Sequence, residues 1–295
     1  MSSVSKKQQA IIYIICSAFF FALMNMFVRM SGDLPSIQKS FFRNLVAFFF
    51  ALIILLRSKS GFSFNKKNLP AFFGRAFFGT LGILCNFYAV DHLMLSDASI
   101  LNKLSPFFAI LFSYFILKEK LNLVQGSAVA AAFCGAILVV KPGFSGADVF
   151  IPSLIGVAGG LFAGLAYTLV RVLGQRGERG SFIVLFFSAF SCLATLPFLI
   201  FDFHPMTSMQ LFTLILAGLS AAGGQFTITA AYTRAPAREV SVFDYTQIIF
   251  AAGLGFLFFS QIPDIFSIIG YCIISGVAVW MFLYNLHEDR KLTEQ

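Results

Sequence analysis

Two ionisable side chains, Lys103 and Asp244, lie about six residues inside long apolar stretches of this chain. At a rise of about 1.5 Å per residue, each lies about 6 Å from the middle of a membrane-spanning helix. A lone charge at that depth costs at least about 2.5–3.5 kcal/mol, so it normally faces water or a partner. Lys103 could hold an anionic group, and Asp244 an ammonium group or an exchangeable proton. A direct ion pair between them is a further reading that the sequence leaves open.

Polar and small side chains recur at helical spacing along six of the apolar stretches, counted from the N-terminus as the first, third, fourth, sixth, eighth and ninth. Residues three or four apart share one face of a helix, so we expect these stripes to surround a central cavity. The predicted solute-binding residues, beside Lys103 and Asp244, are Asn25, Asn86, Tyr88, Asn102, Tyr167, Gln225, Thr229, Tyr245 and Gln247. Interhelical hydrogen bonds, worth about 0.6–2 kcal/mol each, are the alternative role for Asn25, Asn86 and Thr229.

Residues for catalysis or metal binding are sparse. A membrane enzyme needs paired acids, a histidine cluster or an activated nucleophile, yet Asp244 is essentially the only acid inside an apolar stretch. The three histidines are scattered, and the five cysteines fall inside apolar stretches without a C-x-x-C pair, as buried filler would. We therefore predict no enzyme activity, no catalytic residue, no metal site and no cofactor.

Ten apolar stretches position these residues. Hydrophobic residues make up 58% of the 295 residues and charged ones 12%, whereas a soluble domain is about half apolar and about a quarter charged. Each stretch is close to the about 20 residues that cross a bilayer as a helix. The sequence predicts an all-α membrane protein with spans near residues 10–29, 38–56, 71–90, 97–117, 122–140, 152–173, 182–201, 209–232, 238–259 and 265–286.

The net charge of +8 is distributed unevenly along the chain. If the N-terminus is cytoplasmic, most basic residues fall in the inner segments, and the outer ones contain only Arg29, Lys39 and Lys141. This asymmetry is typical of a multi-pass protein of the cytoplasmic (inner) membrane with both termini in the cytoplasm. Nucleic-acid binding is not supported.

The chain resembles itself after a shift of 142 residues. Phe20, Leu23, Val28 and Arg29 then align with Phe162, Leu165, Val170 and Arg171. Each half has five spans, and an odd number inverts the second half, which is a common plan for proteins that bind solutes near the bilayer midplane. We predict a five-helix repeat at 10–140, a linker at 141–151, an inverted five-helix repeat at 152–286 and a cytoplasmic tail at 287–295.

A series of motifs along these spans resembles the EamA-type members of the drug/metabolite transporter (DMT) superfamily. The motifs are Phe41-Phe42-Arg43, Phe87-Tyr88-Ala89-Val90, Asp97-Ala-Ser-Ile-Leu101, Leu104-Ser-Pro106, Phe115-Ile-Leu-Lys-Glu-Lys120, Ala230-Ala231-Tyr232-Thr233-Arg234-Ala235-Pro236 and Glu239-Val-Ser-Val242. The resemblance covers about residues 10–286. It implies a transporter of small organic metabolites, with the fifth and tenth helices packed outside the cavity and a structural role for Arg43.

We therefore expect a permease that moves an amino-acid-like or other charged amphipathic solute by alternating access, as an exporter or exchanger. Uptake of a nucleoside-like metabolite such as S-adenosylmethionine is the alternative within the same class. A lipid scramblase or a structural membrane protein is the alternative of another class, but neither explains the paired polar stripes. The expected partners are the substrate, membrane lipid and coupled protons, for a monomer or homodimer.

Overall fold

The computed structural model describes residues 6–57, 64–116, 118, 123–141, 146–232 and 241–293. Within these ranges it contains α-helices, short 3₁₀ turns and no strand, which confirms the all-α prediction. The α-helices are α1 (Lys6–Met30), α2 (Ser36–Arg57), α3 (Leu69–His92), α4 (Leu95–Asn102), α5 (Ser105–Ile116), α6 (Leu123–Val140), α7 (Ala147–Gln175), α8 (Gly180–Phe201), α9 (Ser208–Tyr232), α10 (Thr246–Phe259) and α11 (Ile265–Thr293). A 3₁₀ helix, Ser241–Tyr245, leads directly into α10.

Eight helical segments of the described chain are long and apolar enough to cross a membrane, with α4 and α5 together forming one of them. The segments Gly126–Val140 and Phe243–Phe259 are apolar but shorter. They fall in the predicted fifth and ninth spans, and the residues that precede them in the chain lie partly outside the described ranges. The chain is a multi-pass helical membrane protein.

Two helices extend beyond their predicted bounds. Helix α7 begins at Ala147, inside the segment predicted as a linker, and α11 continues to Thr293, through most of the predicted tail. Hydropathy marks where a helix enters hydrocarbon, but the helix itself can begin earlier, in water. Asp148 lies in the first turn of α7, where a carboxylate interacts favourably with the helix dipole.

The helices pack mainly as pairs drawn from the two halves of the chain: α1 with α9, α3 with α7, α2 with α8, and α6 with α11. Helices α3 and α7 approach closely at small residues. A Cβ atom at Gly82 would lie 3.2 Å from the Ala163 amide nitrogen, which is closer than ordinary van der Waals contact, so a larger residue would push the two helices slightly apart. Small residues are the usual means by which membrane helices reach van der Waals contact.

The predicted fourth span is not one continuous helix. Helix α4 ends at Asn102 and α5 begins at Ser105, with Lys103 and Leu104 in a turn between them. Pro106 explains the interruption, because proline has no amide hydrogen to donate within a helix. Gly160 of α7 packs against this break, and a Cβ atom there would lie only 2.7 Å from the Leu101 carbonyl oxygen.

Candidate functional site

A cavity of about 90 Å³, lined by both polar and apolar side chains, lies between helices of both halves. Helices α6 and α11 contribute none of the described residues that line it. The lining residues are Phe21, Met24, Asn25, Arg43, Arg75, Gly79, Gly82, Ile83, Asn86, Asn102, Lys103, Ala163, Ala166, Tyr167, Phe187, Gln225, Ile228, Asp244 and Gln247.

Eight of the eleven residues selected from the sequence lie on the wall of this one cavity. They are Asn25, Asn86, Asn102, Lys103, Tyr167, Gln225, Asp244 and Gln247. They come from six separate segments of the chain. Helical periodicity groups the residues within one segment, but it does not show which segments lie side by side. Their binding of a substrate stays a prediction.

Tyr88, Tyr245 and Thr229 are not among the lining residues. The Tyr88 ring stacks on His92, with 4.1 Å between ring centroids. Tyr88 follows Asn86 by two residues, or roughly 200° around the helix, and so faces away from it. The Tyr245 hydroxyl donates a hydrogen bond of 3.0 Å to the Lys103 carbonyl oxygen, next to the break between α4 and α5. The side chain of Thr229 lies outside the described residues.

Lys103 and Asp244 form a direct ion pair across the two halves, through Lys103 Nζ and Asp244 Oδ2. The side chains are 9% and 14% exposed, so both charges are largely withdrawn from solvent. The turn after α4 carries Lys103, and the 3₁₀ helix before α10 carries Asp244. The other carboxylate oxygen, Asp244 Oδ1, is buried and has no hydrogen-bond partner among the described residues. It is therefore a free acceptor in the wall of the cavity.

Asn25 and Asn86 join α1 to α3 at the cavity. The Asn86 side-chain amide donates to Asn25 Oδ1 at 3.2 Å, as an interhelical hydrogen bond would require. Asn86 Oδ1 is buried without a partner among the described residues. The amide nitrogen of Asn86 thus links α3 to α1, while its oxygen can still accept a hydrogen bond.

Two arginines on the cavity wall were not selected from the sequence. Arg43 and Arg75 are 3% and 7% exposed, and neither forms an ion pair with a described acidic residue. Arg43 Nη1 donates to Asn44 Oδ1 at 2.6 Å, and the Arg75 guanidinium lies 4.3 Å from the Phe187 ring centroid. The Nε atoms of both are buried without a hydrogen-bond partner in the described chain.

The sequence contains part of the information that would identify these two arginines as cavity residues. Arg75 belongs to the polar stripe of the third span, and its charge there is as costly as that of Lys103. Arg43 lies near the outer end of the predicted span at 38–56, where a long side chain can reach water. Helix α2 begins at Ser36, so Arg43 lies seven residues, or about 10 Å, inside the helix.

Comparison with known proteins indicates the family to which the chain is similar. A family model described as the EamA-like transporter family matches residues 8–141. The pseudopaline exporter CntI of Pseudomonas aeruginosa (strain UCBPP-PA14) is 33% identical over 286 residues, which span 96% of this chain and 98% of the exporter. Solute carrier family 35 member G1 of Homo sapiens is 26% identical over 280 residues, covering 90% of this chain and 76% of that protein.

The fold also has a counterpart of known structure. A solved crystal structure superposes with a TM-score of 0.66 over 94% of this chain and 98% of the other. The two sequences are 14% identical, so this likeness shows a shared fold and nothing about the substrate.

Proposed function

Because this chain belongs to the EamA-like transporter family of the drug/metabolite transporter superfamily, we propose that it is a secondary transporter of a small, charged organic metabolite. Its cavity alternates between access from one side of the membrane and from the other, and no covalent chemistry is involved. The observation that carries this proposal is the cavity itself, whose charged residues come from both halves of the helical bundle. A structural membrane protein would have no need to keep such groups in its interior.

The architecture proposed for this cycle is ten spans in two inverted five-helix repeats. A shift of 142 residues relates α1 to α7, α2 to α8 and α3 to α9. The same shift converts the α1–α9 pair into the α7–α3 pair, and it leaves the pairs α2–α8 and α6–α11 in place. Both contact patterns support a pseudo-twofold axis between the halves, the geometry in which one half rocks against the other.

The proposed orientation has both termini in the cytoplasm of a cell whose inner membrane holds the protein. The crowding of basic residues in the inner segments supports it. Export or exchange is the proposed direction, since a relative of nearly the same length is named as an exporter. Uptake of a nucleoside-like metabolite and lipid scrambling are the outcomes that a transport assay would have to reveal instead.

The Lys103–Asp244 pair has a specific part in this proposal. An anionic group of the substrate would bind Lys103 in place of Asp244. An ammonium group or a proton would bind Asp244 in place of Lys103. The two halves then separate at this contact only when the cavity is loaded. Such coupling makes the ion pair a gate rather than a permanent link.

The test is transport by the purified protein in proteoliposomes, with solutes first selected from a metabolite panel by thermal shift. A ligand at about 100 times its dissociation constant adds about 2.7 kcal/mol to stability, which a melting curve detects. We expect saturable flux of the selected solute and no flux of fluorescent lipid between leaflets. Lipid flux without solute flux would identify a scramblase and overturn the proposal.

Substitutions at the ion pair test its role. Lys103→Met and Asp244→Asn should each reduce transport at least about tenfold, a loss of about 1.4 kcal/mol of transition-state stabilisation. Lys141→Met, outside the cavity, is the control and should transport like the parent. If Asp244 carries a coupled proton, the pH dependence of transport vanishes in Asp244→Asn. Parental transport by both single variants and by the double variant at every pH would make the pair purely structural.

A further inference from the structure

The charges on the cavity wall do not balance. Among the described lining residues, Arg43, Arg75 and Lys103 are cationic, and Asp244 is the one acid. Lys103 and Asp244 neutralise each other through their ion pair. The remaining charge of +2 belongs to two guanidinium groups that repel each other and face no carboxylate in the described part of the chain.

On the premise of the transport function proposed above, we infer that this cavity takes a dianionic solute, whose negative charges are bound by Arg43 and Arg75. Guanidinium groups bind carboxylate and phosphate oxygens through paired, charge-assisted hydrogen bonds. Each arginine has a buried Nε hydrogen without a partner among the described residues, and the fork of Nε and Nη is the edge that binds an oxyanion. A dianion entering the cavity would satisfy both donors and neutralise the wall.

The surroundings hold Arg75 in position for this role. The guanidinium lies against Gly79, and a Cβ atom there would be 2.0 Å from Arg75 Nη1 and 3.2 Å from Arg75 Cζ. Any larger residue at position 79 would displace the charged group. The Phe187 ring, 4.3 Å from Arg75 Cζ, covers one face of the guanidinium and leaves its edge available.

Arg43 is oriented by a separate network. Its Nη1 donates to Asn44 Oδ1 at 2.6 Å, and the Asn44 amide nitrogen donates to Ser191 Oγ at 2.8 Å and to the Ser40 carbonyl oxygen at 2.9 Å. Asn44 therefore ties α2 to α8 while it holds one side of the guanidinium. The network uses neutral groups only, so it orients the charge of Arg43 without neutralising it.

The experiment measures thermal unfolding of the purified full-length protein with four probes at equal ionic strength. Glutarate carries two carboxylates, inorganic phosphate at pH 8 is mainly a compact dianion, acetate is a monoanion and choline a cation. We expect the dianions to raise the melting temperature and acetate and choline to leave it unchanged. A shift with glutarate alone identifies a dicarboxylate, and a shift with phosphate alone identifies a phosphate group.

Variants connect the shift to the two arginines. Arg43→Gln and Arg75→Gln should each weaken dianion binding about 10- to 100-fold, the effect of losing one charge-assisted interaction. Without ligand, the same variants should melt at the parental temperature or above it, because each removes an unneutralised buried charge. Gly79→Ala should weaken binding while all charges are kept, and Arg75→Lys should not restore it. Arg57→Gln, at the exposed end of α2, is the matched control.

Three outcomes would overturn the inference: no shift with either dianion, a shift that persists in Arg75→Gln, or a large loss of stability in the ligand-free arginine variants. The last would mean that the arginines hold the fold together. Failure here is distinct from failure of the transport function. Flux of a neutral or cationic solute, unchanged in the arginine variants, would leave the protein a transporter with another substrate class.

Discussion

Buried polar groups are treated differently at two levels of this bundle. One level, the loop end, comprises the connections α1–α2, α3–α4, α8–α9 and α10–α11. There Lys39 is fully buried, and its Nζ lies 2.6 Å from Asp91 Oδ1. The Gln38 side chain donates to the His204 carbonyl oxygen at 2.8 Å and accepts from the His204 amide at 3.1 Å. Gln261 Oε1 accepts from the Leu95 amide at 2.9 Å, which joins a further pair of helices.

On the cavity wall, by contrast, several buried polar atoms have no hydrogen-bond partner among the described residues. Seven buried side-chain polar atoms of the described chain lack a hydrogen-bond partner, and four belong to Arg43, Arg75, Asn86 and Asp244 on the cavity wall. The other three are serine hydroxyls, which bear no charge. An unpaired buried amide or charge is costly, so a protein keeps one where a bound group can satisfy it. The loop end therefore serves folding, whereas the open atoms of the cavity fit a site that awaits a ligand.

The largest expected effect is at the loop end. Lys39→Met would leave the Asp91 carboxylate without its cation, and breaking one side of a buried ion pair costs about 3–5 kcal/mol. We expect a loss of this size in the free energy of unfolding in detergent micelles. The double variant Lys39→Met/Asp91→Asn should recover most of it. An equal loss in Arg75→Gln would remove the distinction between the two levels.

An intermediate effect is expected where α7 supports the break that carries Lys103. A Cβ atom at Gly160 would lie 2.7 Å from the Leu101 carbonyl oxygen, which is backbone and cannot rotate away. Gly160→Ala should therefore cost about 1–3 kcal/mol in the same unfolding measurement and displace the Lys103 turn. Gly174→Ala, where nothing lies within 4 Å, is the matched control and should be neutral or stabilising. A neutral Gly160→Ala would mean that α7 can move away from α4 at little cost.

The smallest effect is expected at an ion pair that is partly exposed rather than buried. Asp264, at the loop end, pairs with Lys141 but is 46% exposed, and its Oδ1 accepts from the Ser267 amide at 2.8 Å as the N-cap of α11. Burial raises the pKa of this carboxyl, but the hydrogen bonds from Lys141 and Ser267 outweigh it, so the pKa lies below its usual value. Asp264→Ala should cost about 1 kcal/mol at neutral pH, mostly through the lost cap.

The pH dependence follows from the sign of that shift. A lowered pKa in the folded state gives stability that is present above the pKa of an unfolded aspartate and is lost as the pH falls through the folded value. The difference in melting temperature between the parent and Asp264→Ala should therefore shrink in acid. Asp264→Asn keeps the cap and should lose only the pH-dependent part. A difference that grows in acid would contradict this account.

Helical periodicity predicted much of the cavity because it needs only local information. Asn25, Asn86 and Gln225 each stand on the polar face of their helix, and that face is the one turned to the cavity. Periodicity does not give the relative depth of two helices, so the contact between Lys103 and Asp244 required the packed structure. Hydropathy also does not reveal the break between α4 and α5, since the residues on both sides of it are apolar.

Two other features that the sequence does not show have a similar physical origin. Lys39 falls in a segment predicted to lie on the outer side of the membrane, and it is buried there beside Asp91, which is 52 residues away along the chain. The structural role that the resemblance implies for Arg43 stays a prediction, and its position on the cavity wall follows from how far α2 extends. Sequence separation hides such contacts, and a single sequence carries no signal for them.

The interrupted helix between α4 and α5 has a consequence for biosynthesis. The Lys103 side chain finds its partner in Asp244, and the Lys103 carbonyl oxygen finds its partner in Tyr245, so both depend on a segment made some 140 residues later. While the ribosome is still translating the second half, a nascent first half in the bilayer lacks both. Residues 8–141, which the family model matches, therefore lack both contacts until the second half is made. Both contacts become possible only when the segment of Asp244 and Tyr245 has been made, so we expect a chain terminated before it to be a substrate for quality-control proteolysis.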